Sequence, residues 1–289
     1  MQEQKYILEN VTSFEPKHIF ECGQCFRWDE EQDGSYTGIV KNNVINVKKV
    51  DNSIVFESLG ADNLEELVID YFDLNRDYEK IKDELSKIDE YLANSIKYGS
   101  GIRILNQDLW ETIISFIISA NNNIPRIKGI INRISQKYGT EIEWKGKRYY
   151  TFPTVENLAK ATVEDLRSLG LGFRDIRVYN TTHKILEKQV DLEKLHQEVD
   201  TKKVRDTLLT LDGVGPKVAD CILLFSTLKR FDVFPIDVWV RRVMNELYIK
   251  KEDETKVNKK DIEKLAKEKY GNLEGIAQQY LFYWKRDTA

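Results

Sequence analysis

The sequence predicts an α+β fold: an N-terminal antiparallel β-sheet domain followed by a mainly α-helical body. Three observations predict it. The first sixty residues hold short alternating runs, the pattern turns helical from about Asp62, and a glycine-bracketed corner joins two helices late in the chain. The runs FRWDEE, SYTGIV, VINVKKV and IVFES are rich in β-branched and aromatic residues. They are separated by the turn formers Asp33-Gly34, Asn42-Asn43 and Asp51-Asn52. That spacing describes a meander. Trp110, Ile113, Ile114, Ile117 and Ile118 then recur at helical spacing, and Pro125 suits the first turn of a helix continued by Ile127, Ile130, Ile131, Ile134 and Tyr138. Helices are also expected over Lys203–Thr210 and Pro216–Leu228, and the pattern stays helical to the end. The expected domains are residues 1–100 and 101–289, with the hairpin in 203–228.

Composition bounds the function. At 289 residues and 41% hydrophobic content the chain can bury a real core. No apolar run approaches the roughly 20 residues needed to span a bilayer. The first ten residues lack a basic leader and an apolar stretch, so a protein of the cell interior without a signal peptide is expected. Cys22, Cys25 and Cys221 are too few and too odd in number for a disulfide scaffold. Cys22 and Cys25 form a C-x-x-C without a second ligand pair, and His18, His183 and His196 are scattered, so no metal is expected. A net charge of −4 argues mildly against a nucleic-acid partner. The stretch Arg126–Arg148 is nonetheless locally basic, either as a solvated face or as a phosphate-binding one.

The segment from Leu208 to Phe225, LLTLDGVGPKVADCILLF, carries the most chemistry. Gly213 and Gly215 bracket Val214, and Pro216 fits a helix start, so free backbone N–H groups are presented to a phosphate oxygen. A plain packing corner fits the same residues. Lys217 sits in the first helical turn, against the positive end of the dipole, which favours a neutral and nucleophilic amine. A surface lysine reaching for phosphate fits that position as well. Asp237 reads as a helix N-cap, the commonest job of such an Asp, and a capping carboxylate can also steady developing positive charge.

Together these pieces resemble the helix-hairpin-helix (HhH-GPD) DNA glycosylase superfamily, and the form from Leu211 to Cys221 resembles the 8-oxoguanine DNA glycosylase/lyases most. ECGQCFRW (21–28), GIRILNQDLWE (101–111), SANNNIPRI (119–127), LGLGFR (169–174) and AQQYLF (277–282) each resemble a family segment in the right order. The resemblance implies a helical glycosylase body containing a helix-hairpin-helix motif. It implies Lys217 as the nucleophile that attacks the sugar C1′ and forms a Schiff base, and Asp237 as the carboxylate that supports it. It also implies that Gly23 accepts the N7–H of 8-oxoguanine, Phe282 and Cys221 sandwich the base, and Gln278 reads its Watson–Crick edge. Asn121 would fill the gap in the duplex and Phe173 wedge it open. Arg126 and Arg174 would contact the opposite cytosine through paired donors, and Gly213, Val214 and Gly215 would hold a phosphate. On residue type alone Phe282 suits a core, Cys221 an apolar helix face and Gly23 a strand bulge.

The implied partner is double-stranded DNA containing 8-oxoguanine, bound by a monomer without a cofactor, in the nucleoid or nucleus. The sequence departs from the family where Phe173 replaces Tyr, Trp239 replaces a phosphate-contacting His and Cys25 replaces Ser. The four-cysteine iron–sulfur loop of other branches has no counterpart, since no cysteine follows Cys221. Two other readings stand beside this one: a monofunctional alkylbase glycosylase, which usually lacks a lysine at position 217, and a non-enzymatic hairpin DNA-binding module.

Overall fold

The alternating runs of the first sixty residues form a five-stranded sheet in the computed structural model, which describes residues 3–253 and 256–288. In chain order come β1 (Glu3–Leu8), α1 (Pro16–Glu21), β2 (Trp28–Glu30), β3 (Tyr36–Val40), β4 (Asn43–Val50) and β5 (Ser53–Leu59). The sheet order is β1-β5-β4-β3-β2 and every neighbouring pair is antiparallel. The four expected strands are present. The turn between β3 and β4 falls one residue earlier than expected, on Lys41 and Asn42, with Lys41 at φ +54°. β1 was not foreseen: Gln4 and Lys5 dilute its alternation, and it is fixed by pairing along β5. Phe14, Phe20, Trp28, Phe56 and Phe72 fill one face of the sheet, with Phe20 stacked on Trp28 at 4.1 Å.

The helical part then runs through α2 (Leu64–Tyr71), α3 (Tyr78–Ser86), α4 (Glu90–Tyr98), α5 (Leu109–Ser119) and α6 (Ile124–Tyr138). Each starts where an Asp or Asn side chain accepts an N–H of the first turn: Asn63, Asp77, Asp89, Asp108 and Asn123. A hairpin of β6 (Glu141–Trp144) and β7 (Lys147–Tyr150) follows, which corrects the expectation of uninterrupted helix. Its physical cause is visible in EIEWKGKRYY: Ile142 and Trp144 alternate with acids, and Lys145-Gly146 turns with both residues at positive φ. The hairpin lays Ile142 and Trp144 against Ile39 and Val44 of the sheet. The remaining helices are α7 (Val155–Leu158), α8 (Val163–Ser168), α9 (Asp175–Leu186), α10 (Leu192–Gln197), α11 (Thr201–Leu208), α12 (Pro216–Phe225), α13 (Val238–Met244), α14 (Lys259–Tyr270) and α15 (Glu274–Thr288). Among the described residues no helix is long and apolar enough to cross a membrane.

α5 is the axis of the helical core. All its residues but Glu111 and Ser119 are buried, as expected of a helix surrounded on every side. Sheet and helices are joined by buried polar clamps. Arg103 donates to the carbonyls of Ser13, Phe72, Asp73 and Arg76, and Gln24 donates to Ile19 and Arg103 while accepting from Leu105 N. Lys229 lies at the same junction, bonded to the Ile104 carbonyl and 3.5 Å from Asp73. Burial pulls its amine down to about 7, against the attraction of Asp73.

Because the folded pKa lies below the unfolded one, the unfolded chain binds more protons between about pH 7 and 10.5. Stability therefore rises with pH across that window, by up to roughly 1.4 kcal/mol per pH unit from this proton. Thermal melts of parent and Lys229→Met are expected to show that rise in the parent and its loss in the variant. Parallel melting curves across pH 7–10 would contradict it.

Candidate active site

The corner between α11 and α12 is built by one glycine the fold demands and one it does not. Gly213 has φ +86°, and a Cβ there would stand 3.0–3.1 Å from the side chains of Ile117 and Arg177. Val214 beside it is buried and pins the corner to the core. Gly215 has ordinary extended backbone at the N-cap of α12, and a Cβ on it would meet open space. No side chain caps α12, so its first N–H groups face outward past exposed Gly215 and Pro216.

Lys217 follows on that first turn, with Cys221 one turn along the same helix face. Its Nζ lies 5.4 Å from the centroid of the Phe116 ring on α5. Asp237 caps α13, accepting from Val240 N at 2.7 Å, and its carboxylate acts on Lys217 electrostatically without a direct ion pair. The expectation of a neutral amine needs correction here. The Cys221 sulfur and then the Asp237 carboxylate hold the Lys217 amine above the usual lysine range, although burial lowers it. Burial pushes the Cys221 thiol up to about 11, while the Lys217 amine beside it pulls the other way. The helix-dipole argument named one influence and left out these local ones. Attack by Lys217 thus requires its proton to leave first.

Gly23 and α15 form a second cluster. Gly23 has φ +88°, and a Cβ on it would stand 3.5 Å from Phe282 and 3.9 Å from Arg286. Gln279 ties the turn down by donating to the Cys22 carbonyl, and Gln107 bonds the carbonyls of both Gln24 and Phe225. Gln278 is 5% exposed, and its Oε1 has no hydrogen-bond partner among the described residues. A buried orphan acceptor one turn from Phe282 is a costly feature unless a ligand completes it. Cys22 and Cys25 are buried, their thiols raised by burial. Among the described residues no group of three His, Cys, Asp or Glu could hold a metal.

The third cluster lies beyond the end of α5. Asn121 is exposed at φ +51°, and Phe173 is 52% exposed, beneath the guanidinium carbons of Arg174 (4.2 Å) and Arg177 (5.1 Å). Arg174 is 2% exposed. It donates twice to the Ala120 carbonyl and once each to the Asn121 and Leu171 carbonyls. Four of its five N–H donors meet these carbonyls, which ties the guanidinium to the Ala120–Asn121 turn and leaves one donor free of them. Arg126 remains exposed, with one long bond of 3.4 Å to the Gly170 carbonyl.

α5 connects all three clusters. Phe116 meets Lys217 and Phe26, Ile117 meets Gly213, and the C-terminal end of α5 leads to the Arg174 clamp.

The 8-oxoguanine DNA glycosylase N-terminal domain family matches residues 6–113, and the HhH-GPD superfamily of base excision DNA repair proteins matches residues 114–270. The chain belongs to the HhH-GPD superfamily. A probable N-glycosylase/DNA lyase of Methanothermobacter thermautotrophicus is 32% identical over 73% of this chain and 71% of its own. The apo-form of the Clostridium acetobutylicum 8-oxoguanine glycosylase/lyase is 43% identical, superposes with a TM-score of 0.91 and covers 98% of both chains. The same enzyme with double-stranded DNA holding cytosine opposite 8-oxoguanine gives 42% identity and a TM-score of 0.92, over 100% of this chain and 98% of that one.

Within this HhH-GPD chain the basic stretch 126–148 is largely neutralised. Lys128 pairs with Asp29, Lys137 with Asp165, Lys145 with Glu57 and Lys147 with Glu31, while Arg133 bonds the Leu169 carbonyl. Three neighbours of the clusters escaped the sequence reading: Phe116, Arg177 and Arg286. Only Arg286 had a visible signal, its spacing of one helical turn from Phe282.

Proposed function

We propose that this chain removes 8-oxoguanine from duplex DNA, preferring cytosine opposite the lesion, and then nicks the strand through a lysine Schiff base. The observation that carries the reading is the placement of Lys217: a largely buried amine on the first turn after a glycine hairpin, facing Cys221 and within the field of Asp237. The Lys217 amine, once deprotonated, bonds to C1′ as the C1′–N9 bond breaks and the base departs with the electron pair. The aminal so formed opens as its C1′–O4′ bond breaks, O4′ taking a proton, to a protonated imine that acidifies C2′, and loss of the C2′ proton expels the 3′ phosphate by β-elimination. Asp237 offsets positive charge as it grows on the sugar. An amine and a carboxylate suffice, so no dissolved cofactor is required.

The extruded base would sit on Phe282 with Cys221 across from it, its N7–H on the Gly23 carbonyl and its Watson–Crick edge on Gln278, whose Oε1 lacks a partner. One such bond to N7–H supports discrimination of a few kcal/mol against guanine. Asn121 would fill the vacated place and Phe173 wedge the duplex. Gly213, Val214 and Gly215 would form the corner that holds a phosphate, with the N–H groups of Gly213 and Gly215 presented to it, since Val214 N–H donates to the Leu211 carbonyl. Residues 1–100 would supply Gly23 and residues 101–289 the rest, in a monomer acting where the cell keeps its DNA. Arg126, with its fork almost free, would read the opposite cytosine, with at most one donor added by Arg174. Base release measured opposite each of the four bases is expected to be fastest opposite cytosine, and Arg126→Met to flatten that order. Equal rates in the parent would contradict the preference.

A further inference from the structure

Arg286 has no role in the scheme above, yet it borders the same pocket. It follows Phe282 by one turn of α15, and its Nη1 stands 3.9 Å from where a Gly23 Cβ would be. The guanidinium carbon lies 5.7 Å from the Phe282 ring centroid and 5.4 Å from that of Tyr283. Nε donates to Asp287 at 2.8 Å, while the four N–H donors of the two terminal nitrogens find no acceptor among the described residues. The side chain is about 28% exposed. A cation held by two rings and one carboxylate therefore offers free planar donors beside the Gly23 turn and the Phe282 ring.

The chemistry of the lesion gives those donors a target. In 8-oxoguanine the N7–H and the C8 carbonyl are adjacent on one edge of the base. A base that lies on Phe282 with N7–H at Gly23 turns O8 toward the atoms around Gly23. Guanine presents C8–H at that point and offers the arginine nothing. We propose that Arg286 is a specificity-determining residue that donates to O8 of the extruded base, an inference that rests on the substrate reading above. The edge that marks the lesion would then be read twice, by an acceptor at N7–H and by a charge-assisted donor at O8.

The test compares the two reactions of the enzyme in Arg286→Met. The ratio of kcat/KM for 8-oxoguanine release to kcat/KM for cleavage at a preformed abasic site is expected to fall about tenfold, because the abasic substrate has no base to read. Arg286→Lys should recover part of the ratio. In a Lys217→Gln background, the preference in Kd for duplexes with 8-oxoguanine over guanine should fall by a similar factor. An unchanged ratio, or equal losses in both reactions as a general DNA contact or a folding defect would give, overturns the contact. A parent that releases no 8-oxoguanine sinks the substrate reading and the contact together; an active parent matched by Arg286→Met sinks the contact alone.

Discussion

Lys217→Gln is expected to abolish borohydride-dependent cross-linking to lesion-bearing DNA and to lower strand nicking by roughly 10³-fold or more, since no imine can form without the amine. The fold should survive, because Lys217 stands on the first turn of α12 and makes no ion pair that its loss would orphan. Base release without capture in the parent would point instead to a monofunctional glycosylase, and binding without release to a DNA-binding module. The resting ammonium adds a pH signature. Because the Lys217 pKa is raised, the reactive neutral fraction grows with pH, so parental cleavage of preformed abasic sites should accelerate toward alkaline pH.

Asp237→Asn separates the two jobs of this carboxylate. The amide oxygen can still accept from Val240 N, so the cap is kept and stability should change by less than about 0.5 kcal/mol. The charge is gone, and the glycosylase rate should fall about 10²–10³-fold. Asp237→Ala should lose the cap as well, at a cost of about 1 kcal/mol. Removing the carboxylate also removes one influence that raises the Lys217 pKa, so the pH profile of abasic-site cleavage in Asp237→Asn should move to lower pH. Melting curves, single-turnover rates and the pH profile check the three parts. A stable Asp237→Asn enzyme with parental rates would reduce Asp237 to a cap.

How far the sequence could be read followed from how local each determinant is. β2 to β5 were legible because alternation and Asx or Gly turns act within a few residues. β1 exists because a partner strand fifty residues away accepts it, and β6–β7 was hidden inside a run that looked merely basic. The same distance effect governed the site. Lys217, Cys221 and Asp237 fall in one short region, and the hairpin and helix starts place them together. The surroundings of Arg174 could not be read, because the Ala120 and Asn121 carbonyls that take three of its donors lie 54 and 53 residues upstream. The lysines of 126–148 looked free for DNA only while Asp29, Glu31 and Glu57 were far away in sequence.

One rival nucleophile tests the account from inside the protein. Lys229 is buried with its amine pulled down to about 7, which by acidity alone would make it the better nucleophile at neutral pH. Its surroundings say otherwise: it bonds the Ile104 carbonyl and faces Asp73 and Phe231 at the junction of sheet and helices, past the end of α12 opposite the hairpin. Peptide mapping of the borohydride-reduced adduct decides between them. The adduct mass is expected on the peptide containing Lys217; an adduct on Lys229, or on any other amine of the parent protein, would contradict the central claim.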